Sequence, residues 1–237
     1  MLNDTFIFKD KRARALGIEL SGLIELSAAV PRVITASLPG RSGDLHYYDG
    51  SYENRVITAP CYLLSFSAEH GIDAINSWLL NNPGYHRFED PADRGHYMMA
   101  RAVHGLEKKM RLGLMNPFKL EFDAMPQRFL KFGERFIDVT ASGVIRNPTA
   151  FPSLPLLEIV SNGGDVTIST SKSTLYLYDF SGALMYDAES DRAYYGNLEF
   201  NEFVATSNKF ELSPGTNSIY IRGDVLSVKI KPRWWEI

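Results

Sequence analysis

The residues able to do chemistry are scattered along this chain. Five histidines, His46, His70, His86, His96 and His104, fall in the first half, and none stands in an HExxH spacing or a similarly tight ligand pattern. Asp90, Asp93 and His96 lie close enough in sequence to line a metal, but hard-cation sites draw more carboxylates from fixed positions, and a solvated loop accounts for them better. Gly40-Arg41-Ser42-Gly43-Asp44 echoes the nucleophile turn of serine hydrolases, yet it fits neither G-x-S-x-G nor a strand-to-helix setting. The single cysteine, Cys61, excludes an internal disulfide and a Cys-rich zinc site. Its place in an apolar stretch predicts a buried, inert thiol. No P-loop or dinucleotide fingerprint is present, and no pair of carboxylates stands out as a glycosidase pair. Arg222-Gly223-Asp224 matches an integrin-type tripeptide and, between two alternating runs, reads as a hairpin turn. Tyr176, Tyr178, Phe180, Tyr186, Tyr194 and Tyr195 could stack on sugars, although alternation sends roughly half of them inward. The residues therefore nominate no catalytic, cofactor-binding or metal-binding side chain, and the chain reads as a binding or assembly module rather than an enzyme.

Composition agrees. The 237 residues are 45% hydrophobic and 22% charged, ordinary for a globular protein and enough for one large domain or two of common size. Net charge is -3, which gives no basic footprint for nucleic acid. No apolar run approaches the ~18 residues of a membrane span. The first residues lack a basic segment followed by an apolar one, so no secretory leader is expected, and the formal sequon at Asn3 carries no weight without one.

The elements that must position these residues are mostly strands. Residues 6–11 alternate and predict a first strand, with a second short one over 16–20. Residues 33–38 and 55–63 are rich in β-branched side chains and predict core strands. Between them, residues 38–55 gather three glycines, a proline and several turn-forming polar residues, so the chain is expected to reverse there, twice over that stretch. Ile72, Ile75, Trp78 and Leu79 recur at helical spacing over 69–81, and Asn81-Asn82-Pro83-Gly84 stops that helix. Strands are expected over 85–90, 97–103 and 118–125, the last with Phe118, Leu120 and Phe122 on one face and Lys119, Glu121 and Asp123 on the other. A domain boundary is expected near residues 127–133. Pro126, Asn147, Pro148, Pro152 and Pro155 mark a stiff, extended interdomain hinge. Beyond Leu156, short alternating runs separated by turn pairs such as Asn162-Gly163-Gly164 and Ser181-Gly182 predict a β-sandwich or jelly-roll. Trp234-Trp235 is expected to pack into a core or an inter-subunit seam.

Taken end to end, the order of motifs resembles the distal tail protein (Dit) family of long-tailed, non-contractile bacteriophages (siphoviruses). The residues that carry it are Phe6-Ile7-Phe8 with Gly17-Ile18; Leu38-Pro39-Gly40-Arg41-Ser42-Gly43-Asp44-Leu45; Asp49-Gly50-Ser51-Tyr52-Glu53-Asn54-Arg55; Trp78-Leu79; Pro83 to Asp90; Ala100-Arg101; Phe122 to Leu130; Asn147 to Leu156; Asp187 to Gly196; Pro214 to Asn217; and Pro232-Arg233-Trp234-Trp235. The resemblance implies a mainly β protein: an N-terminal β-barrel or sandwich-like domain with one α-helix (residues 1–130) and a C-terminal galectin-like β-sandwich of jelly-roll type (131–237). It implies a structural virion protein without catalytic activity or cofactor, forming a closed homo-hexameric ring at the tail tip, assembled in the host cytoplasm. The ring would join the tail tube protein to the tail-associated lysin or fibre and carry receptor-binding or other baseplate proteins. It would touch no membrane and bind no nucleic acid specifically, DNA passing through its lumen. Pro39, Gly40, Arg41, Ser42, Gly43, Asp44, Tyr52, Glu53, Asn54 and Arg55 are the expected ring interface. The alternative is a carbohydrate-binding module that contacts the host surface through its second domain.

Overall fold

A computed structural model describes residues 5–63, 68–107 and 117–237; Asn3 of the sequon lies outside them. The chain divides into two compact units, Met1–Arg128 with Ile237, and Phe129–Glu236.

The first unit contains β1 (Ile7–Phe8), β2 (Lys11–Arg12), β3 (Ile18–Leu20), β4 (Glu25–Leu26), β5 (Pro31–Ala36), β6 (Leu45–Tyr52), β7 (Arg55–Leu63), α1 (Ala68–Leu80), β8 (His86–Glu89), β9 (His96–Ala102) and β10 (Phe118–Leu130). The main sheet runs β2-β1-β8-β9-β10-β7-β3, with β4 also on β7. Residues 6–11 form no single strand: Lys9 and Asp10 both take positive φ, 52° and 58°, and fold β1 back on β2 as a two-residue hairpin. The alternation of β10 holds, with Leu120, Phe122 and Ala124 fully buried and Lys119 exposed. Along α1, Ile72, Ile75 and Leu79 are buried with Phe6, Phe8, Phe88 and Phe122 in one cluster. Each such side chain contributes about 1.5–3 kcal/mol by leaving water. The Trp78 indole N–H donates to the Phe8 carbonyl (3.0 Å), pinning helix to strand. The stop signal works through Asn82 at φ 58° as well as Gly84. Cys61 is buried, and burial pushes its thiol up to about 12.

The second unit adds β11 (Ile137–Asp138), β12 (Gly143–Asn147), β13 (Leu156–Ser169), β14 (Thr174–Leu177), β15 (Ser181–Asp187), β16 (Arg192–Tyr195), β17 (Leu198–Glu199), β18 (Val204–Thr206), β19 (Gly215–Lys231) and β20 (Trp235–Glu236). Two turns expected here are not turns. Asn162-Gly163-Gly164 and Arg222-Gly223-Asp224 lie inside the long strands β13 and β19, which pair antiparallel throughout with register shifts between Val160 and Thr167. The core-facing parity flips across this kink. Leu157 and Ile159 point inward before it and Val166 and Ile168 after it; on β19 the change runs from Ile219 to Val228 and Ile230. An inserted residue reverses the face. Each strand thus serves two halves of one continuous, folded-over sheet. One half pairs with β11, β15 and, through β15, β16; the other with β12 and β14. Both close on the same core.

Asn147, Pro148, Pro152 and Pro155 lie within this unit rather than at its border. Asn147 is 2% exposed and its amide donates to the Phe151 and Leu212 carbonyls (2.8 and 3.1 Å). Ser153 bridges to Leu212. Pro126 is buried in β10. The stiffness of residues 147–155 therefore serves the second unit's own packing. Trp234 is buried in its core, while Trp235 stacks on Phe151 (4.4 Å) and donates to the Pro152 carbonyl (2.9 Å).

Candidate assembly surface

β5 and β6 form a two-stranded sheet of their own, pairing Val33 with Tyr48, Ile34 with Tyr47, Thr35 with His46 and Ala36 with Leu45. The expected core strand at 33–38 is thus exposed along its whole length. Only one reversal occurs, through Pro39-Gly40-Arg41-Ser42-Gly43-Asp44, with Gly40 and Gly43 at φ 80° and 84°. Residues 48–52, expected as further turns, belong to β6; Gly50 at φ 89° sits within that strand.

Alternation gives the hairpin two faces. One presents Ile34, Ala36, Leu45 and Tyr47, all apolar in body, with Ile34 59% and Tyr47 64% exposed. The other presents Val33, Thr35, His46 and Tyr48, where the Thr35 hydroxyl meets His46 Nδ1 at 3.2 Å. Tyr48 shares a hydrogen bond with Tyr52, which pushes its phenol up to about 12. A lone two-stranded sheet is marginal by itself, and its root explains its persistence. The Glu53 N–H donates to the Val30 carbonyl (2.9 Å), and Ser27 exchanges hydrogen bonds with Val56 on β7 (3.0 and 2.8 Å). The Asn54 amide donates to the Tyr85 hydroxyl (2.6 Å) and to Asp123 (2.8 Å), and Asp123 also takes the Arg101 Nε–H (2.8 Å).

The expected interface residues therefore occupy three settings. Pro39 to Asp44 form the exposed turn. Tyr52, Glu53 and Asn54 form the hairpin root. Arg55 is 8% exposed and points to the core side of β7 with Ile57 and Ala59. Sequence reasoning missed the apolar face itself: alternation at 33–36 and 45–48 was its signal, but alternation does not say what covers a strand. Of the possible metal group, Asp93 accepts from Arg128 (3.2 Å) and bonds His96 Nδ1 (2.6 Å), a local ion-pair cluster, while burial pushes the Asp90 carboxyl up.

No family model matches the chain, and neither does the sequence of any curated protein. Among solved structures, the chain is similar to the SPP1 Dit (gp 19.1) protein, described as a paradigm of the hub adsorption apparatus in phages infecting Gram-positive bacteria. The likeness has a TM-score of 0.74 and covers 98% of this chain and 99% of that one at 13% identity. The chain has the Dit fold. Both units take part in the likeness, and it meets the resemblance read from motif order.

Proposed function

We propose that this chain is a structural hub protein of a phage tail tip, without catalytic activity, that closes into a homo-hexameric ring through its exposed hairpin. The observation that carries the reading is the fold likeness to a Dit hub protein over nearly the full length of both chains. The hairpin supports it physically. A head-to-tail ring needs a projecting surface on each copy that seats on a different surface of the next, and the Ile34–Tyr47 face offers apolar area and two open strand edges. Tail tube, lysin or fibre, and receptor-binding proteins would dock on such a ring, at the virion tail tip. Native mass spectrometry or sedimentation of the purified chain tests it: a hexamer of 26.7 kDa chains weighs about 160 kDa. A monomer at every concentration, and on purified tail tubes, would overturn the ring.

One observation favours a carbohydrate-binding reading as second choice. On the outward face of β14, Tyr176 and the following Tyr178 hold parallel rings 6.3 Å apart, and Thr167 and Arg222 continue the Tyr176 row across the sheet. Parallel aromatic rings beside polar side chains suit sugar stacking. A glycan array showing no binding to the full chain would remove this reading.

A further inference from the structure

Arg55 carries a charge that no described acid of the first unit balances. It begins β7 opposite Ala124 of β10, on the core-facing side, and is more than nine-tenths buried. Its Nε–H donates to the neutral Ser27 carbonyl (2.7 Å), while Nη1 is sealed from solvent with no acceptor. Arg128, four residues beyond Ala124 and so on the same face of β10, is the charged neighbour that acts on it, and it repels. Burial and that repulsion both push the Arg55 guanidinium down from its usual value. Asp93, which accepts from Arg128, is also engaged by His96. A trapped water could accept from the Nη1 group but would not balance the charge. Leaving a buried guanidinium uncompensated costs several kcal/mol in general, and a planar carboxylate fits its fork best.

We propose that Arg55, with Arg128 at the more open side of the group, is a receptor for an oxyanion of carboxylate type supplied from outside the chain. Arg128, 28% exposed, gives the anion its approach, and Arg55 supplies the buried half of the cradle. The anion is either an acidic side chain of a second copy or a free small carboxylate, and the site does not depend on the hub reading.

Thermal unfolding of the full chain in sodium acetate against sodium chloride, at equal ionic strength and pH 7, reads the site. The wild type should gain about 2–4 °C in acetate; Arg55→Met and Arg128→Gln should gain less than half of that. In chloride, Arg55→Met should be no less stable than the wild type, because it removes an unbalanced buried charge; a purely structural arginine would give a lower Tm. If Arg55→Met does not fold, the milder Arg128→Gln carries the acetate comparison. Sedimentation of the same proteins separates the sources. Self-association weakened roughly tenfold in the variants assigns the carboxylate to a second copy, and unchanged association with a lost acetate response assigns it to a free anion. Equal acetate responses in all three proteins with unchanged association overturn the proposal.

Discussion

Gly223 shows how one residue sustains the second unit. Its φ is 109°, and a Cβ there would stand 2.4 Å from the Asp165 carbonyl oxygen. The two long strands stay paired through their kinks only because this position has no side chain. Gly223→Ala is expected to destabilise the protein by about 2–4 kcal/mol, measured by urea denaturation, whereas Gly164→Ala, with open space at its Cβ, should cost less despite its positive φ. Asp187 is a second control point. Burial raises its carboxyl, but the Arg233 guanidinium, at 2.7 Å, wins and holds it below 3.8. A depressed carboxyl stabilises above its unfolded value and loses that contribution as pH falls through the folded one. Asp187→Asn should therefore cost about 1–3 kcal/mol at pH 7, with the gap to wild type closing as pH drops below about 4; a gap independent of pH would refute the ion pair.

At the scale of elements, the β5–β6 hairpin is where the proposed assembly role can be told apart from stability. Its apolar face touches water in the isolated chain, so Ile34→Ser and Tyr47→Ser should change folding stability by no more than about 0.5 kcal/mol. In the proposed ring they should weaken association, because the same side chains would be buried there. Comparing denaturation and sedimentation of the two variants checks both halves. Deleting residues 40–48 should abolish ring closure and leave the second unit folded; rings that survive the deletion would move the interface elsewhere. Position in the sequence hid this arm. Val33, Ile34 and Thr35 have the β-branched character of a core strand, and what makes them an arm is only that no other described strand or helix lies over them.

For the molecule as a whole, each unit closes its own hydrophobic cluster. A segment of residues 129–236 is expected to fold alone, giving a β-type circular dichroism spectrum and dispersed amide resonances; an unfolded segment would show that the second core needs the first unit.

Some of this was set locally and is legible in the residues. The α1 helix follows from Ile72, Ile75 and Leu79 at 3.6-residue spacing and the stop at Asn82 to Gly84. The half-buried β10 follows from strict alternation, and the mainly β character from short alternating runs. Those signals act between neighbours a few residues apart. The identity of what a strand pairs with does not. The exposure of β5, the continuity of β13 through Gly163-Gly164 and of β19 through Arg222-Gly223-Asp224, and the inward turn of Arg55 were decided only in three dimensions. A glycine pair permits a turn and a kink alike, and the long partner strand selects the kink. An arginine beside a root of polar residues reads as surface until β10 sets Ala124 opposite it and places its guanidinium in the core with the Nη1 N–H groups left without an acceptor among the described residues.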